Sequence, residues 1–391
     1  MDLLWEFNQE LSDGRTPDWK RYLRRCPRSA QRAELLADMI CTEADLAGWD
    51  SRRISRRLAL YATYDRSKAG RISVVRGLYA DRIARGEYVR RDSIASVGIS
   101  LDALQLRARD ERVYLGQTIG RRYRLEQILG IGRFGVVYLA SEIRNGRLIA
   151  VKTIRGENQQ IRRLARSLLA QEAKSMAALR HPGIPQLIGS VKERASFSIA
   201  LQYIEGGTLL DLFRQGRLPP RRAAAIVAAI ADALDFAHRQ GYIHRDLTLA
   251  NVLVDKMDRP YLADFGLALS NEDQFDRDGQ WAGTNGYMAV ESVLGMTRQM
   301  DGRTDIWSAG VILYELLTGS PLIGRSSREE ALVHGVLLDR RRLKYPREVP
   351  KQLRAIGEKC LSRDPNDRFH TAGLLRSALR EFLKEPSDGK S

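Results

Sequence analysis

In the first 120 positions, apolar residues recur at intervals of three and four, which is the spacing of one face of a helix. Leu3, Phe7 and Leu11 belong to the first such stripe, and residues 35–47 contain a longer one. No combination of catalytic or metal-binding side chains accompanies this pattern. The sequence therefore predicts a helical N-terminal region over residues 1–120 and leaves its role open.

Near residue 123 the pattern changes, because apolar and polar residues begin to alternate. Residues 124–129 alternate in this way, and the short apolar runs 136–140 and 148–151 are also typical of strands. The pair Asn145-Gly146, between the last two, is a favourable hairpin turn. Further along, helical spacing returns, as in residues 305–317. A strand-rich part followed by a helix-rich part predicts an α+β fold with two lobes over residues 123–383, before a polar tail at 384–391.

Composition adds a strong positive charge. Lys and Arg number 64 against 48 Asp and Glu, which gives a formal net charge of +16 and a pI near 10.0. The excess lies in short, scattered Arg clusters that lack the interleaved aromatic residues of a base-stacking surface. A solvated basic surface explains this charge, and the sequence disfavours a nucleic-acid partner.

The cysteines and the longest apolar run indicate the cellular compartment. Three cysteines in 391 residues, with no CxxC pair, argue against a disulfide scaffold and a structural zinc site. The longest apolar run, residues 223–231, is far shorter than the roughly 20 residues of a membrane-spanning helix. The first residues carry acids where a signal peptide carries Lys or Arg. We therefore expect a reduced, cytoplasmic protein without a transmembrane segment.

A glycine-rich segment opens the strand-rich part. Residues 130–137 fit the pattern G-x-G-x-x-G-x-V. A dinucleotide-binding fold has the same glycines, but its loop runs from a strand into a helix, whereas here the chain continues into a second strand. Glycines let such a hairpin lie close over a triphosphate, because no Cβ obstructs the approach of its backbone.

Two charged residues follow this segment. Lys152 ends a predicted strand, where its ammonium is suited to neutralise phosphates. Glu172 lies twenty residues later in a helical run over residues 164–179. We expect the two side chains to pair, so that Glu172 holds the ammonium in place.

The most specific combination of polar residues lies in residues 242–264. Asp246 and Asn251 are five positions apart in a predicted loop, and Asp264 begins an Asp-Phe-Gly triplet thirteen residues after Asn251. A carboxylate such as Asp246 is suited to orient a hydroxyl proton. The amide and carboxylate oxygens of Asn251 and Asp264 are of the type that Mg²⁺ prefers.

In this order and with these gaps, the motifs resemble those of eukaryotic-type protein kinases, here of the bacterial Ser/Thr branch. The likeness covers residues 123–383, about two thirds of the chain. It continues downstream in residues 283–291, 305–310 and 364–368, and we expect Arg368 to pair with Glu291. Residues 1–120 resemble the helical N-terminal extensions of planctomycete kinases, which implies docking of partners or regulation of the lobes.

The resemblance implies ATP as phosphate donor, Mg²⁺ or Mn²⁺ as metal, and Ser/Thr hydroxyls of proteins as acceptors. The catalytic residues that it implies are Lys152, Glu172, Asp246, Asn251 and Asp264, with Asn251 and Asp264 as metal ligands. The nucleotide-binding residues that it implies are Leu129, Gly130, Gly132, Gly135, Val137, Ala150, Lys152, Gln202, Ile204 and Leu253. The resemblance also implies that Leu201 is the gatekeeper. It implies a hydrophobic stack of four residues: Met176, Leu187, His244 and Phe265.

One departure from the family pattern affects the chemistry. Thr248 stands where Ser/Thr kinases usually carry a Lys that contacts the γ-phosphate. Thr brings no charge, so we expect weaker stabilisation of the transition state. An ATP-binding pseudokinase scaffold is therefore the alternative, although the presence of Asp246, Asn251 and Asp264 favours an active enzyme. Thr284, in the Gly-Thr pair before Tyr287, favours Ser/Thr over Tyr specificity.

Overall fold

The computed structural model describes residues 17–25, 114–131, 135–154, 159–193, 197–265, 269–270, 286–293, 300–323, 338 and 343–385, with single positions Leu3, Glu6, Phe7, Glu10, Leu36 and Met39. Most of the predicted N-terminal region lies outside the described residues. So do Gly132 of the glycine-rich segment, residues 271–285 before Tyr287, and residues 386–391 of the predicted polar tail.

Six antiparallel strands form the sheet of the first lobe, in the order β1–β2–β3–β4–β6–β5. Their bounds are β1 Thr118–Ile119, β2 Tyr123–Ile131, β3 Val136–Glu142, β4 Leu148–Ile154, β5 Leu187–Lys192 and β6 Phe197–Gln202. Alternation along β3 and β4 buries Tyr138 and Val151 in a core on one face and leaves the opposite face half-open. The predicted hairpin turn at Asn145 and Gly146 is confirmed, and Gly146 has the positive φ of 71° that favours glycine.

One long helix, α2 (Gln159–Ala178), packs against β4, β5 and β6. Its Leu169 is buried with Ile154 and Ile199 of the sheet. The loop that follows α2 reaches the second lobe, since Leu262 N–H donates to Gly183 O at 2.8 Å. The position of α2 is thus fixed from both lobes.

The second lobe is mainly helical. Its helices are α3 Leu209–Arg214, α4 Pro220–Arg239, α5 Val290–Val293, α6 Gly302–Thr318, α7 Lys351–Cys360 and α8 Ala372–Lys384. Apolar residues of α4, α6 and α8 form its core, among them Leu234, Ile312 and Leu375. Asp301 caps α6 by accepting from Arg303 N–H at 2.8 Å, and Gly319 ends the helix with a φ of 68°.

Short strands position the loops that face the first lobe. Strands β7 Gly206–Thr208, β9 Val252–Asp255 and β10 Pro260–Leu262 form one small sheet, and β8 Tyr242–Ile243 pairs with β11 Leu269–Ser270. The strand-rich first lobe and the helix-rich second lobe confirm the predicted α+β bilobal fold.

Little of the predicted N-terminal helical region is described. A helix, α1 (Trp19–Arg25), lies within it. Phe7 packs edge-to-face against Trp19 and Tyr22, with ring centroids 5.0 and 5.4 Å apart, and all three side chains are buried. None of the helices in the described part of the chain has the length and hydrophobicity needed to span a membrane.

Candidate active site

Lys152 is the centre of an ion-pair cluster between the lobes. Its Nζ lies 2.9 and 2.7 Å from the two carboxylate oxygens of Glu172, and 2.8 Å from Oδ1 of Asp264. Lys152 extends from the half-open face of β4, Glu172 from α2, and Asp264 from the segment after β10. The expected pairing of Lys152 with Glu172 is present, and the fold brings Asp264 to the same ammonium.

Burial and charge act in opposite directions on this cluster. Burial lowers the pKa of Lys152, but the carboxylates of Asp264 and Glu172 outweigh it and hold the pKa above its usual value. Burial also raises the pKa of Glu172 to about 7, against the lowering effect of the Lys152 ammonium. The Glu172 side chain is only 3% exposed, whereas that of Asp264 is 46% exposed. Asp264 is therefore the member of the cluster that an incoming cation can reach.

The loop after β8 brings Asp246 and Asn251 together. Asn251 Nδ2 donates to the backbone oxygen of Asp246 at 2.7 Å and to its Oδ2 at 3.1 Å. Because the amide nitrogen faces Asp246, the amide oxygen Oδ1 is the atom left for a cation. Ala263 N–H donates to Asn251 O at 2.9 Å, which places Asn251 beside the residue that precedes Asp264.

Asp305 anchors the backbone of this loop. Its carboxylate, on α6, accepts from His244 N–H at 2.8 Å and from Arg245 N–H at 2.9 Å, and His238 Nε2 lies 2.7 Å away. Arg245 has a φ of 66°, which costs free energy for a residue with a Cβ and is maintained here by the surrounding contacts. The sequence pattern predicted only that Asp305 lies at the start of a helix. The sequence signal for its role is an acid in the first turn of a helix whose following residues are mainly apolar.

We expect Asp305→Asn to lower the free energy of unfolding by about 1–3 kcal/mol, because an NH₂ group would replace one acceptor and face a backbone N–H. Burial raises the pKa of Asp305, but His238 and the backbone N–H groups outweigh it and hold the pKa below its usual value. This contribution to stability is present above pH about 4 and is lost as the pH falls through the lowered pKa. Urea denaturation should therefore show the largest gap between wild type and variant at neutral pH. A gap that stays constant to pH about 3 would contradict this assignment.

Several predicted nucleotide-binding residues share the half-open face of the first-lobe sheet. Val137 lies directly across from Lys152 on the neighbouring strand. Ala150 lies across from Leu201, the predicted gatekeeper. Leu129 is 41% exposed near the end of β2. The face thus presents a small apolar surface beside the Lys152 ammonium.

The segment that connects the lobes supplies the rest of this predicted set. Gln202 N–H donates to Gln186 O at 2.8 Å, so this N–H is not available to a ligand. Ile204 follows two residues later and is half-buried. Leu253, on β9 of the second lobe, is also half-buried and lies across from Thr208 of β7. Gln202 and Ile204 thus lie between the lobes, and Leu253 lies on the second lobe.

Two of the three predicted glycines are described. Gly130 lies across from Val137 in the β2–β3 hairpin, and a Cβ at Gly130 would meet nothing within 4 Å. A Cβ at Gly135 would lie 2.3 Å from Thr153 O, so only glycine fits there. The close packing of the hairpin on β4 therefore explains Gly135 before any ligand is considered. Gly132 lies outside the described residues.

One buried apolar cluster includes residues of α2 and of the segment that carries Asp264. The His244 and Phe265 rings lie 4.6 Å apart, and Phe265 belongs to the same core cluster as Met176. Leu187, partly buried, packs against that cluster. Met176 and Phe265 of the predicted stack therefore belong to the main core, while Leu187 packs against that core and His244 contacts Phe265.

A buried ion pair lies inside the second lobe. Arg368 Nη1 and Nη2 lie 2.8 and 2.9 Å from the two carboxylate oxygens of Glu291, and the side chains are 0% and 1% exposed. Thr304 donates a further hydrogen bond to Glu291 at 2.9 Å. The predicted pairing of Arg368 with Glu291 is confirmed.

The donor set fits a divalent cation that arrives with phosphates. In the part of the chain that the structure describes, no group of three or more His, Cys, Asp or Glu side chains could hold a metal ion. Asp264 and Asn251 offer one carboxylate and one amide oxygen, and Mg²⁺ commonly combines so few protein ligands with water and phosphate oxygens. Mn²⁺ accepts the same oxygen ligands.

Comparison with known proteins identifies related sequences. Residues 123–379 match the family described as "Protein kinase domain". "Serine/threonine-protein kinase PknB" of Mycolicibacterium smegmatis is 34% identical over 281 residues, which are 67% of this chain and 43% of that protein. "Serine/threonine-protein kinase PkaA" of Streptomyces coelicolor is 33% identical over 274 residues, 66% of this chain and 49% of that protein. The chain thus spans less than half the length of these curated relatives.

Proposed function

The chain belongs to the protein kinase family, and we propose that it transfers the γ-phosphate of ATP to serine and threonine hydroxyls of proteins. The observation that carries this proposal is the meeting of Lys152, Glu172 and Asp264 in one ion-pair cluster. Asp246 and Asn251 lie in the adjoining loop. The names of the curated relatives, serine/threonine-protein kinases, support the same reaction.

Lys152 and Glu172 have electrostatic roles in this proposal. Phosphoryl transfer requires mainly that the reactants be positioned and that negative charge be neutralised. The Lys152 ammonium, protonated at neutral pH and held by Glu172, would contact the α- and β-phosphates. Glu172 would hold the Lys152 ammonium in this position when the phosphates replace Asp264 as the second partner of the ammonium.

Asp246 would orient the substrate hydroxyl toward the γ-phosphate and accept its proton. Asn251 Oδ1 and the exposed carboxylate of Asp264 would hold Mg²⁺ or Mn²⁺. The cation, when bound, offsets the charge of the phosphates. The hydrogen bonds from Asn251 Nδ2 to Asp246 would hold the proton acceptor and the metal ligand together in one loop.

For the nucleotide, we propose that the carbonyl of Gln202 and the N–H of Ile204 form hydrogen bonds with adenine. The apolar residues that would enclose the ring are Leu129, Val137, Ala150 and Leu253. Gly130, Gly132 and Gly135 would let the β2–β3 hairpin approach the phosphates.

Incubation of the purified chain with radiolabelled ATP, Mg²⁺ and a generic protein substrate tests the proposal. We expect label on serine or threonine of the substrate or of the chain itself, detected by phosphoamino-acid analysis. Label on tyrosine would contradict the proposed specificity. ATP binding without phosphate transfer in the presence of Mg²⁺ or Mn²⁺ would favour the pseudokinase alternative. That alternative is based on the uncharged Thr248 in place of the usual Lys.

We expect Thr248→Lys to raise kcat by about tenfold at saturating metal, because an added ammonium would offset charge that develops on the γ-phosphate. Thr248→Met is the matched control, since it adds length without charge. Steady-state kinetics at saturating ATP measure the effect. An equal increase in both variants would show that side-chain length, and not charge, limits turnover.

We also propose that residues 1–120 dock partner or regulatory proteins and that the protein acts in the cytoplasm, where ATP is abundant. The buried packing of Phe7, Trp19 and Tyr22 supports a folded module in this region. Pull-down with the full chain, compared with a chain that begins at residue 114, tests the docking. Partners retained by the shorter chain would contradict it.

A further inference from the structure

Thr248, which stands where the family pattern has a charged residue, makes a hydrogen bond of its own. Its side chain is buried, and its Oγ1 accepts from Asn251 N–H at 3.3 Å, which caps the 3₁₀ turn Leu249–Asn251. A lysine ammonium carries only donors and accepts no hydrogen bond. The cap therefore depends on the residue type that distinguishes this chain from the family pattern.

The capped residue is the proposed metal ligand. Asn251 N–H is shared between Thr248 Oγ1 and Thr248 O, the latter at 3.2 Å. The side-chain Nδ2 of Asn251 is held by Asp246 at 2.7 and 3.1 Å. Both ends of the Asn251 residue are thus fixed, and its Oδ1 is left as the atom that faces a cation.

The turn is held by other contacts besides the Thr248 cap, since Ala263 N–H donates to Asn251 O at 2.9 Å. It spans three residues, so its backbone forms little internal hydrogen bonding. Leu249 is buried in the second-lobe core, and Val252 begins β9. Asp246 holds the side chain of Asn251, and the Thr248 hydroxyl is the side-chain group that accepts from the Asn251 backbone N–H.

We propose that Thr248 is a positioning residue for Asn251: its hydroxyl orients the metal ligand and so strengthens binding of the divalent cation. This inference rests on the proposed function, because it takes Asn251 as a ligand of that cation. It assigns Thr248 a contribution to metal affinity in place of the missing charge. Groups that orient metal ligands commonly change metal affinity by about 10–100-fold when removed.

Three variants test the inference. Thr248→Val keeps the shape and removes the hydroxyl, and Thr248→Ser restores it. Thr371→Val is the matched control, because Thr371 caps α8 in the same way, accepting from Leu374 N–H at 3.2 Å, on a helix that does not contribute to the cleft. Mn²⁺ is titrated at a fixed concentration of protein and AMP-PNP, a non-hydrolysable ATP analogue, and free Mn²⁺ is followed by electron paramagnetic resonance. Thermal unfolding is recorded in parallel.

We expect Thr248→Val to weaken Mn²⁺ binding about tenfold, and Thr248→Ser to return it to within about twofold of wild type, since Ser is an equally good cap. Thr371→Val should lower Tm without changing Mn²⁺ affinity. In kinetic assays of Thr248→Val, we expect the Mn²⁺ concentration for half-maximal rate to rise. The factor of this rise should be larger than the factor by which kcat falls.

Two results would overturn the inference. One is a Thr248→Val chain with lower Tm but wild-type Mn²⁺ affinity, which would make the hydroxyl a structural cap only. The other is a wild-type chain that binds no Mn²⁺ with AMP-PNP. A wild-type chain that binds Mn²⁺ with AMP-PNP but transfers no phosphate would instead contradict the proposed function. In that case the Mn²⁺ affinity of Thr248→Val would still test the positioning role.

Discussion

Asp246→Asn is expected to reduce phosphate transfer by about 10³-fold, because an amide cannot accept the proton of the substrate hydroxyl. The loss should fall on kcat. Asn keeps an oxygen that can accept from Asn251 Nδ2, now at 3.1 Å, so the loop should keep its shape. Lys152, Glu172 and Asp264 are unchanged, and ATP affinity should stay within about threefold of wild type, since uniform binding is not removed.

The measurement is kcat from radiolabelled ATP together with the ATP dissociation constant from fluorescence. Asp258→Asn is the matched control, since Asp258 forms an exposed pair with Arg222 at 2.8 Å outside the cleft. It should leave kcat unchanged. An Asp246→Asn chain that retains more than about a tenth of the wild-type rate would show that proton acceptance there contributes little.

Arg368→Met is expected to have the largest effect on stability, a loss of about 3–5 kcal/mol in the free energy of unfolding. The substitution leaves the Glu291 carboxylate buried without its cation. It also removes the hydrogen bonds from Arg368 to the backbone oxygens of Ser362 and Arg303, at 2.8 and 2.9 Å. Denaturation in urea, followed by circular dichroism, measures the change.

Two further variants separate charge from packing. Arg222→Met breaks an exposed pair and should cost less than about 1 kcal/mol. The double variant Arg368→Met/Glu291→Gln should recover part of the loss, because the unpaired carboxylate is removed. A loss below about 1 kcal/mol in Arg368→Met would mean that water reaches Glu291 and compensates its charge.

The sequence predicted those features that depend on spacing along the chain. Two short apolar runs joined by an Asn-Gly pair predicted the β3–β4 hairpin, and the motif order predicted that Lys152 and Glu172 would meet. Each of these depends on local periodicity or on a pattern shared by a family. The pairing of Arg368 with Glu291 was predicted in the same way from the family pattern.

Other tertiary contacts were not predicted. Asp305 holds the backbone of residues about 60 positions earlier, and no local pattern connects them. Gly135 was assigned to phosphate binding, whereas its contact with Thr153 O already excludes any Cβ. Thr248 was interpreted as a lost charge, because its hydrogen bond to Asn251 N–H depends on the turn formed after it.

The Arg368–Glu291 pair has a consequence for synthesis on the ribosome. The two residues are 77 positions apart, so at 5–20 residues per second Glu291 is made about 4–15 seconds before its partner. During that interval the nascent chain contains Glu291 but lacks Arg368, so the site in which Glu291 becomes buried has no cation to pair with it. A premature stop codon between these positions would make the defect permanent, and we expect such products to be cleared by proteases although they contain every catalytic motif.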